Sequence, residues 1–102
     1  NRLTVDLNNI KKMSTAQLDK VKANGSQAEA LLANKSFAQF IHTFKFERLD
    51  QLADINGHTD VDNTTRIALA NQIAGIDEFI KSLRRAVYFK DKIVTQQNEP
   101  KL

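Results

Sequence analysis

The chain of 102 residues has no cysteine and no tryptophan, one proline and three glycines. Without cysteine, a disulfide framework, a thiolate metal site and a cysteine nucleophile are all excluded. With so few chain breakers, long helices are the favoured local structure. No apolar run approaches the roughly 20 residues of a membrane-spanning helix. No stretch has the basic start, apolar middle and small-residue cleavage site of a secretory signal. The chain also lacks a glycine-rich phosphate loop, a nucleophile elbow and a His-Glu-x-x-His metal motif.

What is present is an ordinary globular balance, 41% hydrophobic and 26% charged, which suits one small domain. The net charge of +3 permits contact with nucleic acid or another acidic surface without demanding it. A domain of this size buries about 60–70% of its unfolded surface, so oligomerisation is an accessible source of extra stability. The first methionine is Met13. Residues 1–12 read as a leader or as an extended N-terminal arm. Leu3, Val5 and Leu7 alternate with Thr4 and Asp6 at a period of two, and an arm of that kind docks on a neighbouring subunit.

Helix signals fill the rest. Ser14-Thr-Ala-Gln17, Ser26-Gln-Ala-Glu29 and Ser36-Phe-Ala-Gln39 each match a capping box, in which serine accepts from the third residue's N–H and Gln or Glu reaches back. Asn24-Gly25 is expected to end a short first helix near Lys22 or Ala23. A second helix is expected over about 36–55, beginning anew after Asn34 or continuing through it. Its buried face is Phe37, Phe40, Ile41, Phe44, Leu52 and Ile55, with Leu49 at the flank and Arg48 extending outward. Asn56-Gly57 should close it with a left-handed glycine. Thr59 is the next N-cap, with Asp60 and Asp62 in the first turn. A third helix then spans about 60–93. Its apolar seam is Leu69, Ile73, Ile76, Ile80, Leu83 and Val87, at coiled-coil steps of four and three, fading through Lys90 and Val94. The short connection makes helices two and three antiparallel partners. Gly75, in mid-helix, is expected at a close helix crossing. Residues 13–95 thus form the helical domain, and 96–102 read as a flexible tail.

Few residues point to chemistry. His58, Asp60 and Asp62 are metal-ligand types at close spacing, but capping and dipole chemistry explain them equally. His42 has no partner at triad or ligand spacing. Asp77 and Glu78 project about 100° apart and cannot serve as an acid–base pair; Asp77 is spaced to pair with Lys81. The chain is therefore read as non-enzymatic, with no cofactor, no metal and no small-molecule substrate. Lys81, Arg84, Arg85 and Lys90 form a basic cluster suited to phosphate contact, with Tyr88 able to stack on a base and Lys92 projecting elsewhere. The same cations would also favour the C-terminal end of a helix on dipole grounds. Lys11-Lys12 and Lys20-Lys22 add a weaker basic patch. Phe46, Phe79, Tyr88 and Phe89 are candidate protein contacts, although Phe46 and Phe79 could equally close a small core.

The run Leu31-Leu-Ala-Asn-Lys-Ser-Phe-Ala-Gln-Phe-Ile41 continues through Arg48-Leu-Asp-Gln-Leu52, an acidic turn, Arg66-Ile-Ala-Leu69 and Ile76-Asp-Glu-Phe-Ile-Lys-Ser-Leu83. This pattern, over residues 31–93, resembles small helical-hairpin structural and accessory proteins of tailed bacteriophages. The resemblance implies a virion-associated or assembly role without catalysis, in a virion or a host cytoplasm, and it carries over no catalytic residues.

The expectation is therefore an all-α protein: an antiparallel helical hairpin with a short N-terminal helix and an extended N-terminal arm. Its partner is a copy of itself or a larger virion protein. A small basic nucleic-acid-binding accessory is the alternative. A membrane is not among the expected partners.

Overall fold

A computed structural model describes residues 11–98. It is all-α: three helices, with no strand among the described residues. Helix α1 spans Thr15–Ala33, α2 spans Lys35–Asp54 and α3 spans Asp60–Asn98. The arm expected over residues 1–12 lies, apart from Lys11 and Lys12, outside the described residues.

Two helix starts follow their local chemistry as expected. Ser14 and Gln17 form a reciprocal capping box: the Ser14 N–H donates to Gln17 Oε1 at 2.9 Å, and the Gln17 N–H to Ser14 Oγ at 3.3 Å. Thr59 caps α3 in the same way. Its Oγ1 accepts from the Asp62 N–H at 3.1 Å, and Asp62 Oδ2 accepts from the Thr59 N–H at 3.3 Å. The start of α2 belongs to Asn34, whose side chain accepts from the Phe37 N–H at 2.9 Å; Ser36 lies inside the helix.

The chain divides into two compact units, one from residues 11–31 with 82–98 and one from residues 32–81. In the first unit, α1 lies against the last part of α3. Lys22 Nζ donates to Gln97 Oε1 at 3.0 Å, and Lys90 pairs with Glu29, so the two helices run antiparallel. This packing corrects the expectation that Asn24-Gly25 ends a helix. Gly25 is buried within α1, and a Cβ there would lie 2.7 Å from the Ala86 carbonyl oxygen and collide with Lys90 Cβ. Glycine is used at this position so that backbone can approach backbone. A turn signal that is correct locally is thus overruled by tertiary contact. Ala28 and Ile93, both buried, flank this crossing. Ile93 rather than Val94 carries the apolar contact at this end of α3, since Val94 is exposed. The helix also runs five residues past Ile93, so Gln96, Gln97 and Asn98 are helical rather than tail.

In the second unit, α2 runs antiparallel to the first part of α3. Phe37 meets Phe79 edge-on with centroids 6.4 Å apart, Lys45 pairs with Asp77 at 2.8 Å, and Arg48 Nε donates to Gln72 Oε1 at 3.1 Å. Leu69 is the one apolar residue of this unit that is fully buried; Ile73, Ile76 and Ile80 of the seam are half-buried. Two expectations fail on α2. Phe40 is not core but 76% exposed, because it stands about 100° around the helix from Ile41 and falls off the edge of the packed face. Arg48 does not extend outward. Its guanidinium lies 3.5 Å over the Phe44 ring and donates to the Phe44 carbonyl at 3.2 Å, so the cation sits between the helices.

The connection at 55–59 is also held differently from expectation. Gly57 has no positive φ. The Ile55 N–H closes α2 on the Leu52 carbonyl at 3.2 Å, and Arg66 reaches back from α3 to brace the connection, donating to the Ile55 carbonyl at 3.2 Å and the Gly57 carbonyl at 2.6 Å. A side chain at Gly57 would run into the Asp62 carboxylate of the α3 cap. Gly75, expected at a crossing, has open space around it.

The two glycines therefore respond oppositely to the same change. Gly25→Ala overpacks a backbone crossing and is expected to cost about 1–3 kcal/mol. Gly75→Ala is expected to add about 0.5–1 kcal/mol through helix propensity. Urea midpoints of the two variants at unchanged m-value check the pair of signs.

Candidate functional site

Two outward faces collect the residues left without structural employment, one on each unit.

On the second unit, α2 is apolar on both sides. Phe37, Ile41, Phe44 and Leu52 are half-buried on the side that meets α3. On roughly the opposite side stand His42, Phe46, Leu49 and Ala53, all exposed and spaced by four, three and four residues. Phe46 is 51% exposed and Leu49 46%. The His42 and Phe46 rings are tilted against one another with centroids 4.4 Å apart. A helix with two apolar faces has one face more than a single partner helix can cover. This stripe was missed in the sequence, although its heptad spacing was present there. The inner face uses the same periodicity with larger residues and drew the reading. Of the nine exposed large hydrophobic residues among those described, six belong to this unit: Phe40, Phe46, Leu49, Val61, Ile67 and Phe79. Phe79, a candidate contact, is partly exposed but also packs on Phe37.

On the first unit, the Lys90 ammonium is not available for phosphate contact. Its side chain is mostly covered, faces α1 and pairs with Glu29, with Asp91 4.0 Å away. The hydrogen bond with Glu29 raises the Lys90 pKa above its ordinary 10.5; desolvation opposes the rise, and the charges of Glu29 and Asp91 add to it. Because Lys90 points to α1, the residues on the far side of the same helix turns are Arg84, Arg85, Tyr88 and Lys92. Lys92 lies 5.4 Å from the centroid of the Tyr88 ring, so it joins this face rather than projecting elsewhere. Tyr88 and Phe89 meet edge-on at 5.6 Å, which splits the candidate contact pair: Tyr88 is exposed and Phe89 half-buried. Lys81 falls in the other unit, where it pairs with Glu78 at 3.3 Å rather than with Asp77. Asp77 is engaged by Lys45.

The charge of the chain is unevenly divided. Among the described residues, the first unit holds eight basic and three acidic side chains, and the second holds five basic and seven acidic. All three carboxylates of the first unit are engaged: Asp19 with Lys22 at 3.6 Å, and Glu29 and Asp91 with Lys90. This division is hidden in the sequence because the first unit is assembled from both ends of the chain. His58, Asp60 and Asp62 do not converge: Asp62 serves the α3 cap, and His58 Nδ1 lies 3.4 Å from Arg66. Among the described residues, no group of three or more His, Asp or Glu is placed to hold a metal ion. No described helix is long and apolar enough to cross a membrane.

The Lys90–Glu29 pair gives a defined pH signature. A folded-state pKa raised above the unfolded value contributes stability that is complete below 10.5 and is lost as pH rises through the raised folded value. Thermal melts across about pH 9 to 12 are expected to fall more steeply for the native chain than for Lys90→Met. Parallel curves would mean that the pair adds no pH-dependent stability.

Comparison with known proteins adds no name to either face: no family model, no curated protein and no solved structure matches this chain.

Proposed function

We propose that the chain is a non-enzymatic assembly protein that associates with a second copy of itself through the outer face of α2. The virion setting implied by the resemblance to tailed-phage hairpin proteins suits such a role. One observation carries the reading: the exposed His42-Phe46-Leu49-Ala53 stripe at coiled-coil spacing, on the side of α2 turned away from α3. A helical hairpin formed by α2 and the first part of α3 would present this stripe as a ready face. Copies of one chain offer an identical stripe, so the contact can be isologous and close as a dimer. The low burial of the described chain supports the same reading. Its buried apolar residues are Ala28, Leu69 and Ile93, a small core for three helices of this length.

At about 1.5–3 kcal/mol per large apolar side chain, removing Phe46 and Leu49 from both copies should weaken pairing by several orders of magnitude. Sedimentation velocity across a concentration series is expected to give a mass above the 11.5 kDa of one chain, and Phe46→Lys/Leu49→Lys is expected to return it to that value with unchanged helical circular dichroism. A native chain that stays at 11.5 kDa at the highest concentration contradicts self-association and leaves a different protein as the partner of this face.

A further inference from the structure

We infer that the outer face of the last part of α3 is a binding surface for single-stranded nucleic acid, with Arg84, Arg85 and Lys92 on phosphates and Tyr88 under a base.

Three observations carry this. The first is orientation. Lys90 is turned to Glu29 on α1, which fixes the opposite side of α3 as the one bearing Arg84, Arg85, Tyr88 and Lys92. These four residues lie within about 12 Å along the helix axis, roughly the span of two nucleotides of extended strand. The second is lack of internal partners. Among the described residues, the carboxylates of this unit are already engaged by Lys22 and Lys90, and no carboxylate lies within 4.0 Å of Arg84, Arg85 or Lys92. Arg84 and Lys92 are exposed and Arg85 half-buried at the flank of the same side, and like charges on one side of a helix favour a polyanion whose counterions are released on binding. The third concerns the helix dipole. Cations near a helix C-terminus are favoured by the dipole only within the last turn. The α3 helix continues to Asn98 and has no basic residue in its last turn. Arg84 and Arg85 stand more than three turns earlier, so the dipole does not account for them.

Tyr88 distinguishes nucleic acid from an acidic protein segment. Its exposed ring sits among the three cations, with Phe89 against its edge and Lys92 over it at a distance. An aromatic face framed by phosphate-binding groups fits an unpaired base. A carboxylate chain would use the cations and leave the ring idle. The surface draws on the first unit alone and shares no residue with the α2 stripe, so it stands or falls separately from self-association.

The test uses the full chain and a fluorescent oligothymidylate in anisotropy titrations over a salt series. Binding is expected with a slope of log affinity on log salt near −2, from about 0.7 per phosphate contact and three contacts. Arg84→Gln/Arg85→Gln should bring the slope below about −1 in magnitude, and Tyr88→Leu should lower affinity about 5- to 100-fold with the slope unchanged. Lys20→Gln, which removes one unpaired cation from α1, should leave affinity within about twofold, whereas Lys92→Gln should not. Circular dichroism confirms that each variant is folded. Three results overturn the inference: no binding at low salt, equal losses from Lys20→Gln and Lys92→Gln, or competition by polyglutamate as effective as by unlabelled oligonucleotide.

Discussion

The close approach of α1 to α3 at Gly25 sets much of what the first unit presents to solvent. Backbone meets backbone there because one residue has no side chain, with the Ala86 carbonyl and Lys90 directly against it. That contact fixes the rotation of α3 about its own axis in this unit. Lys90 and Ile93 turn inward, the first to Glu29 and the second to burial. On the side half a turn away Arg84, Tyr88 and Lys92 are then exposed, with Arg85 half-buried at the flank. A basic aromatic face thus follows from a glycine some sixty residues away in the chain.

The second unit follows a different logic. Its helices meet across a face in which Arg48 occupies a central position, stacked on Phe44 and hydrogen-bonded to Gln72. A cation in that position limits how much apolar surface the pair can bury, and Leu69 is the one residue there that is fully covered. The apolar residues on the far side of α2 leave about half of their surface outside this packing. Retaining Phe46 and Leu49 on a solvent face exposes hydrophobic surface that a self-sufficient domain has no use for. Association between copies, as proposed, would give that surface a use and offset the thin core.

What could be read from the sequence was what is decided within a few residues. The Ser14–Gln17 box and the Thr59 cap are each decided within three residues, and both form; the return bond from Asp62 to Thr59 is an addition. The all-α class and the seam from Leu69 to Ile80 depend on periodicity and scarcity of breakers, and both are present. The failures share one cause: a local signal met a distant contact. Asn24-Gly25 carries a turn signal, but α3 passes beside it. Gly57 carries a cap signal, but Arg66 of the next helix holds the connection through the Ile55 and Gly57 carbonyls. Which side of α3 is covered by α1 cannot be read along the helix either, so the sequence does not show that Lys90 pairs with Glu29 while Lys92 lies beside Tyr88. The charge division between the units depends on which ends of the chain meet, and no local window contains that information.

The rotation of α3 set at Gly25 is the central claim, and the absence of native cysteine makes it directly measurable. Single cysteines placed by Arg84→Cys, Tyr88→Cys, Lys92→Cys and Ile93→Cys, each titrated with a thiol reagent under native conditions, report which side of the helix faces water. The account predicts fast labelling at the first three and protection at the fourth that is released on unfolding. Labelling of Ile93→Cys as fast as Lys92→Cys in a folded chain would contradict it.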